Sequence, residues 1–410
     1  MFQRLALLLS GILALTCWAP QARAEEDGLK VGAGRLHPYF ELEGDYNTAA
    51  QVAVDPETKT SSGIGDFILH FRPGLKLDIP SSTLAVSLSG AAEYLVYTGL
   101  NSSNASSLNR LQAQASLDLG FLRGSVVSFD LGDHFSRSDQ TTDVGLPFGA
   151  LSFYNDAHAA ITLAPGGGSL TITPGYHLVL ETFSALGDVS GATDDLGNLN
   201  YLQHRITLDN SWRFLPKTAI LLNGEYNIRD YSDSDANTDI SFFRASVGLS
   251  GLVTPHFSTL LQLGWSTDVT SHTFNSIIGQ LEGTYIVNET SNVRLGVLRT
   301  FQPIPSAGSD QGYVSFEDDR GYLEGKLTVM DRLTLHGSTA VVYLGFRGTN
   351  PRNDLLYTLS VGADFEITRW FIASAGDSLF VRSSDLKKST AFAGLNLTSD
   401  QVYVKLRVTY

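Results

Sequence analysis

Three constellations in this chain have residue types that could do chemistry. His158 and His177 stand about equally far from the turn Pro165 to Gly168, on segments that alternate apolar and polar residues. On two antiparallel strands joined at that turn they would face each other, and two imidazoles are the beginning of a metal site. Wet histidines on a pore wall have the same spacing, so the pair by itself assigns no metal. Asp233-Ser234-Asp235-Ala236-Asn237-Thr238-Asp239 has the D-x-D-x-N-x-D spacing of a calcium loop. Thr238 stands where the sharp turn needs glycine and Arg244 where the bidentate glutamate belongs, so the segment reads as a solvated acidic loop. Asp130, Asp133, His134 and Ser136 crowd one segment, without a G-x-S-x-G elbow. Residues one or two apart on a strand cannot all converge on one substrate. No catalytic, cofactor-binding or metal residue is assigned, no cofactor is expected, and the chain is not expected to be an enzyme.

The elements that carry these residues are strands. In Gln401 to Tyr410, Val402, Val404, Leu406, Val408 and Tyr410 alternate with Gln401, Tyr403, Lys405, Arg407 and Thr409. Period two gives one apolar and one polar face. A terminal strand of this kind, closing on an aromatic residue, suits a barrel wall with lipid outside and water inside. Asp66 to Ile79, Arg110 to Phe121 and Leu355 to Ile367 repeat the pattern, with charges on the second face. Unpaired charge in a dry core is very costly, so that face is expected to be wet and the lumen polar.

The start of the chain agrees. Met1 to Ala24 carries Arg4, an apolar run from Leu5 to Trp18, and Ala22-Arg23-Ala24, the pattern of a signal peptide with its cleavage site. Cys17, the only cysteine, falls inside it, so residues 25–410 have no thiol for disulfides or metal. Removing Arg4 and Arg23 takes the formal net charge from −14 to −16. An acidic balance argues against a nucleic-acid partner. A mean hydropathy of +0.01 fits lipid-facing and water-facing residues in equal number. A single barrel over residues 25–410 is expected, since no linker divides the chain into sandwich-sized units.

Short turns at Pro80-Ser81-Ser82, Leu122-Arg123-Gly124, Pro165 to Gly168, Leu215-Pro216, Thr254-Pro255, Asn288-Glu289-Thr290, Met330-Asp331-Arg332 and Thr368-Arg369 alternate with longer polar loops. The loops include Asn47 to Ser62, Thr98 to Ser107, Arg137 to Ala150 and Ser184 to Asn200. A first strand rising at Arg35 to Tyr46 and a last strand descending require an even number, and the elements give eighteen. Ser389 to Thr398 then belongs to the last outer loop or extends the final strand. Trp212, Trp265 and Trp370 lie near turns or loops, where amphipathic rings favour the headgroup zone. Eighteen strands leave an aqueous channel unless something plugs it, and Glu25 to Gly34 is too short for a plug. The inward face is expected to carry Arg72, Glu93, Arg110, His158, His177, Arg205, Glu225, Arg229, Arg244, Glu282, Glu324, Lys405 and Arg407. Glu225 and Arg244, symmetric about their loop, read as a cross-strand ion pair.

Arg35-Leu36-His37-Pro38-Tyr39-Phe40-Glu41-Leu42-Glu43-Gly44-Asp45-Tyr46-Asn47 resembles the opening of a family of outer-membrane β-barrel porins. So do Asp66 to Leu75, with Pro73-Gly74 on a regular strand, and the ending Asp400 to Tyr410. Members of that family are linked to exopolysaccharide secretion beside a periplasmic polysaccharide-export protein. The resemblance thus implies an outer-membrane conduit for a polysaccharide, in contact with lipid and with such an export protein, and carries no defined site residues. A passive diffusion porin fits the mixed-charge wall almost as well. An adhesive surface barrel is a third reading, which would rely on outer loops that are short and polar here.

Overall fold

The computed structural model describes residues 28–54, 61–101, 105–139, 150–185, 196–233, 238–270, 275–303, 313–330, 332–348, 351–385 and 396–410. The expected signal peptide and the centre of the acidic loop, residues 234–237, lie outside them, as does 389–395. The described strands are β1 (Leu29–Val31), β2 (Gly34–Val54), β3 (Ser61–Ile79), β4 (Leu84–Tyr97), β5 (Arg110–Phe121), β6 (Val127–Asp139), β7 (Ala150–Leu163), β8 (Leu170–Ala185), β9 (Tyr201–Leu215) and β10 (Thr218–Tyr231). They continue as β11 (Ile240–Thr254), β12 (Phe257–Asp268), β13 (Asn275–Asn288), β14 (Ser291–Pro303), β15 (Tyr313–Val329), β16 (Leu333–Gly348), β17 (Arg352–Thr368), β18 (Phe371–Ser384) and β19 (Leu397–Thr409).

Each strand from β2 onward pairs antiparallel with the next, and β19 returns to β2 through Arg407↔Glu41 and Lys405↔Glu43. Eighteen strands therefore close a barrel, which abolishes sheet edges. The three-residue β1 lies outside this circuit. It folds back on the foot of β2 through Leu29↔Leu36 and Val31↔Gly34, turning at Gly32, whose φ of +62° suits glycine. No sustained alternation in residues 25–34 marks it as a strand.

Period-two alternation decides which face each residue takes. Leu222, Val247, Leu263, Ile277 and Leu295 are all more than half exposed on the outer wall. A closed barrel with an apolar exterior satisfies every backbone group internally and can stand in hydrocarbon. The architecture is that of a transmembrane β-barrel of the outer-membrane kind. Trp212 and Trp370 are exposed at the short-turn end and Trp265 toward the other rim. All eight short turns fall at junctions between consecutive strands, three of them through positive φ, at Leu122 and Gly124, at Gly166 to Gly168, and at Met330. Pro73 has no N–H to give, and the β3–β4 ladder omits Arg72 and Pro73 before resuming at Gly74↔Ala91.

The strands run further at the loop end than expected. Of the stretch expected as a loop, 47–54 and 61–62 are strand, with β2 reaching Val54 and β3 starting at Ser61, because backbone pairing persists where side-chain alternation no longer marks it. Three outer connections re-enter the wall through the same device. Asn109, Asn200 and Asn396 each accept, on the side-chain oxygen, the backbone N–H of Tyr97, Phe183 and Ser384 at the end of the preceding strand (2.8, 2.7 and 2.6 Å). Two of these asparagines follow 3-10 turns, Ala105–Leu108 and Leu196–Leu199, which tuck Leu108 and Leu199 onto the inner rim.

That rim corrects the expectation of a polar lumen throughout. Inward-facing Val179, Phe183, Tyr201, Tyr231, Ile240 and Phe242 form one buried cluster with Leu199. Phe316, Val342, Leu344, Phe346 and Leu356 form a second on β15–β17, and Ile68, Leu95 and Tyr97 a third. Alternation assigns a residue to the inner face, but it does not say whether that face meets water or other side chains.

Candidate functional site: the charged inner wall

Side chains two strands apart can meet only on the concave side of a barrel. Tyr322 on β15 donates its hydroxyl to Glu282 on β13 (2.6 Å), and Arg205 on β9 approaches Asp156 on β7 (3.7 Å). These contacts fix the inner face. The thirteen charged and histidine side chains expected on the wall share that face with them.

The seam where the barrel closes holds the longest network. Arg407 on β19 bonds Glu41 on β2, Glu41 accepts from Arg72 on β3 (2.6 Å), and Arg72 also reaches Glu93 on β4 (2.7 Å). His70 then joins Glu93 (2.7 Å) to the fully buried Asp45 (2.5 Å). Charge alternates along this path, so Glu41 and Glu93 each lie between two cationic or imidazole partners, which compensates their removal from water, while Asp45 ends the path at His70. Glu41, His70 and Asp45 were not among the expected site residues. Their signal was present: His37, Tyr39, Glu41, Glu43 and Asp45 occupy alternate positions of one strand.

A second sector spans β7 to β11. His158 and His177 are direct register partners with rings stacked at 5.2 Å, and His177 Nδ1 lies 2.9 Å from Asp156. Higher on the wall, Arg229 donates Nε to Gln203 (2.8 Å), Gln203 donates to Asn227 (2.9 Å) and Asn227 to Glu225 (2.5 Å). Glu225 and Arg244 are register partners with an ion pair of 3.4 Å, and the Arg229 guanidinium lies 4.0 Å above the Tyr201 ring. Arg244 also donates to the backbone carbonyl of Phe301, so this side chain on β11 reaches as far as β14.

A third sector, nearer the short turns, joins Arg294 to Glu282 (3.8 Å) and Glu324 (3.6 Å). Arg110 stands apart from these networks, paired with Asp139 and 5.1 Å from the Tyr97 ring. Lys405 lies beside Glu43 in register. The dipeptide-spaced polar group on β6 splits as expected for a strand. Asp130, His134 and Ser136 take one face, while Asp133 takes the other and receives Asn155 (3.0 Å). At the loop end of β17 and β18, where no site residue was expected, Asp354 is fully buried between Arg352 (3.2 Å) and Arg382 (2.6 Å).

No protein-family model matches the chain, and no curated protein matches it. Among solved structures, it is similar to the siderophore receptor PirA from Pseudomonas aeruginosa, at 12% identity and a TM-score of 0.46 over 93% of this chain and 81% of that one. It is similar to OccAB3 from Acinetobacter baumannii at 11% identity and a TM-score of 0.46, over 92% and 99% of the two chains. OpdK, an outer-membrane protein of Pseudomonas aeruginosa, gives 10% and 0.46 over 92% and 98%. Likenesses at this level carry no inference about substrate or mechanism.

Proposed function

We propose that the barrel is a passive channel for small polar solutes across the outer membrane. The observation that carries this reading is the gradient of burial along the inner wall. Inward side chains near the short turns are partly exposed, whereas those toward the loop end, such as Leu344, Asp354 and Asn227, are almost wholly buried. A passage narrowed by packed side chains suits small hydrated solutes better than a polymer chain. The mixed-sign wall supports the same reading, because many exchangeable hydrogen bonds to both charges provide passage without a deep trap. Arg72, Glu93, Arg110, His158, His177, Arg205, Glu225, Arg229, Arg244, Glu282, Glu324, Lys405 and Arg407 would line or border that route.

The second reading, a polysaccharide conduit working with a periplasmic export protein, rests on the resemblance of the two ends of the chain. Liposome swelling with sugars of rising size, run beside sugar analysis of polymer secreted by a deletion strain, separates the two. Swelling that falls steeply with solute size, with secretion unchanged, is the expected result. No swelling, together with loss of one polymer restored by complementation, would replace the small-solute channel by the conduit.

A further inference from the structure

Midway up the wall, the geometry points to a binding site for a late first-row divalent cation, Zn2+ or its chemical neighbours Cu2+ and Ni2+, formed by Asp156, His158 and His177. One donor atom from each of the three side chains lies within 4.8 Å of the others. Asp156 and His158 are two apart on β7, so both face inward, and His177 is the direct cross-strand partner of His158. Tetrahedral coordination at about 2.1 Å brings donors to roughly 3.4 Å from one another, within reach of side-chain rotation on a fixed wall. Two imidazoles and one carboxylate suit Zn2+, Cu2+ and Ni2+; Ca2+ and Mg2+ prefer oxygen donors throughout.

Gly132 supplies an independent observation. It is the β6 register partner of His158, and a Cβ there would sit 2.7 Å from His158 Nε2 and 3.0 Å from Asp118 Oδ1. The ring carbon Cε1 would be nearer still, so glycine is what lets the His158 imidazole lie directly against β6, with the Asp118 carboxylate beside it. The only other comparable group among the described residues, Glu43, Asp45 and His70, is less suited. Both ring nitrogens of His70 already face carboxylates, and Arg72 and Lys405 supply positive charge beside it. At the Asp156 site the competing cation is Arg205, 3.7 Å from the carboxylate.

The test uses the full barrel refolded in detergent, titrated with Zn2+ by calorimetry and loaded with Cu2+ for electron paramagnetic resonance. The expected result is one site of highest affinity, a Cu2+ signal split by two nitrogens, and at least tenfold weaker binding in His158→Ala and in His177→Ala. Asp156→Asn, which keeps the shape of the side chain, should also weaken binding, and Gly132→Ala should do so by pushing the His158 ring off its position against β6. Arg205→Gln should tighten it. Refolding of each variant is checked by heat-modifiable mobility in electrophoresis. Unchanged affinity in the two histidine variants, or loss confined to His70→Ala, overturns the assignment. None of these readouts depends on the barrel conducting solutes.

Discussion

The inner wall behaves as two materials. Near the short turns its ion pairs are wet: Arg294 and Glu324 have side chains 45% and 49% exposed, and Lys76 and Asp78 58% and 46%. Toward the loop end the group on β17 and β18 is dry, with Arg352, Asp354 and Arg382 at 4%, 0% and 2%. Residue type is nearly the same in both places, yet the energetics differ in kind. A wet pair contributes about 0–1 kcal/mol and is screened by salt. A dry pair contributes little net over an apolar replacement, but removing one partner strands a buried charge and costs about 3–5 kcal/mol. The exposed part of the wall can therefore vary its charges freely, while the buried part is a folded core that happens to face inward.

The largest effect expected from this contrast is at Asp354. Asp354→Ala leaves the guanidinium groups of Arg352 and Arg382 without their shared carboxylate and should destabilise the barrel by about 3–5 kcal/mol. Urea unfolding of the refolded protein, followed by tryptophan fluorescence, measures it. A loss below about 1 kcal/mol would mean that water reaches this level and that the dry half does not exist.

Phe346→Ala probes the same half without charge. Phe346 is 1% exposed, packed with Phe316 and Leu344 and lying 3.8 Å beneath the Arg352 guanidinium. Truncation in a packed interior costs about 3 kcal/mol or more, whereas truncation beside open water costs far less. The same unfolding experiment decides, and channel conductance should rise in this variant if the cluster narrows the route.

The three asparagines at the re-entry points give a smaller effect. Asn109→Ala removes the acceptor of the Tyr97 N–H, and Asn200→Ala that of the Phe183 N–H, so each should cost about 1–2 kcal/mol. Faster hydrogen exchange confined to the amides of Tyr97 or Phe183 would locate the loss. Exchange spread evenly over the barrel would show that the device has no local role.

These sites also show what the sequence could and could not convey. Strand identity, the eight short turns and the facing of β3, β5 and β17 were legible because lipid on one side demands an apolar residue at every second position. The opposition of His158 and His177 followed from their equal distances to one turn, and that of Glu225 and Arg244 likewise. The burial of Asp354 and Phe346 was not legible, because their alternation is the same as that of a wet wall. Dryness depends on what stands opposite or folds over, as the Leu196–Leu199 turn does, and period two contains no term for that. Asp156 was missed for a related reason: its partners come from β8 and β9, and only the register across both strands brings them together.

The smallest structural effect, and the sharpest functional one, is expected at Arg294. Its partners Glu282 and Glu324 lie 3.8 and 3.6 Å away in the wet half, so Arg294→Gln should change stability by less than about 1 kcal/mol. It removes one positive charge from the exposed part of the wall and leaves two carboxylates facing the solution. The reversal potential across a salt gradient should shift toward cation selectivity. Because the site is wet, the shift should be clear at about 10 mM salt, where the Debye length is about 30 Å, and largely lost at 1 M, where it is about 3 Å. A shift that survives 1 M salt would place Arg294 in a dry, confined part of the route, and the boundary between the two halves would have to move toward the short turns.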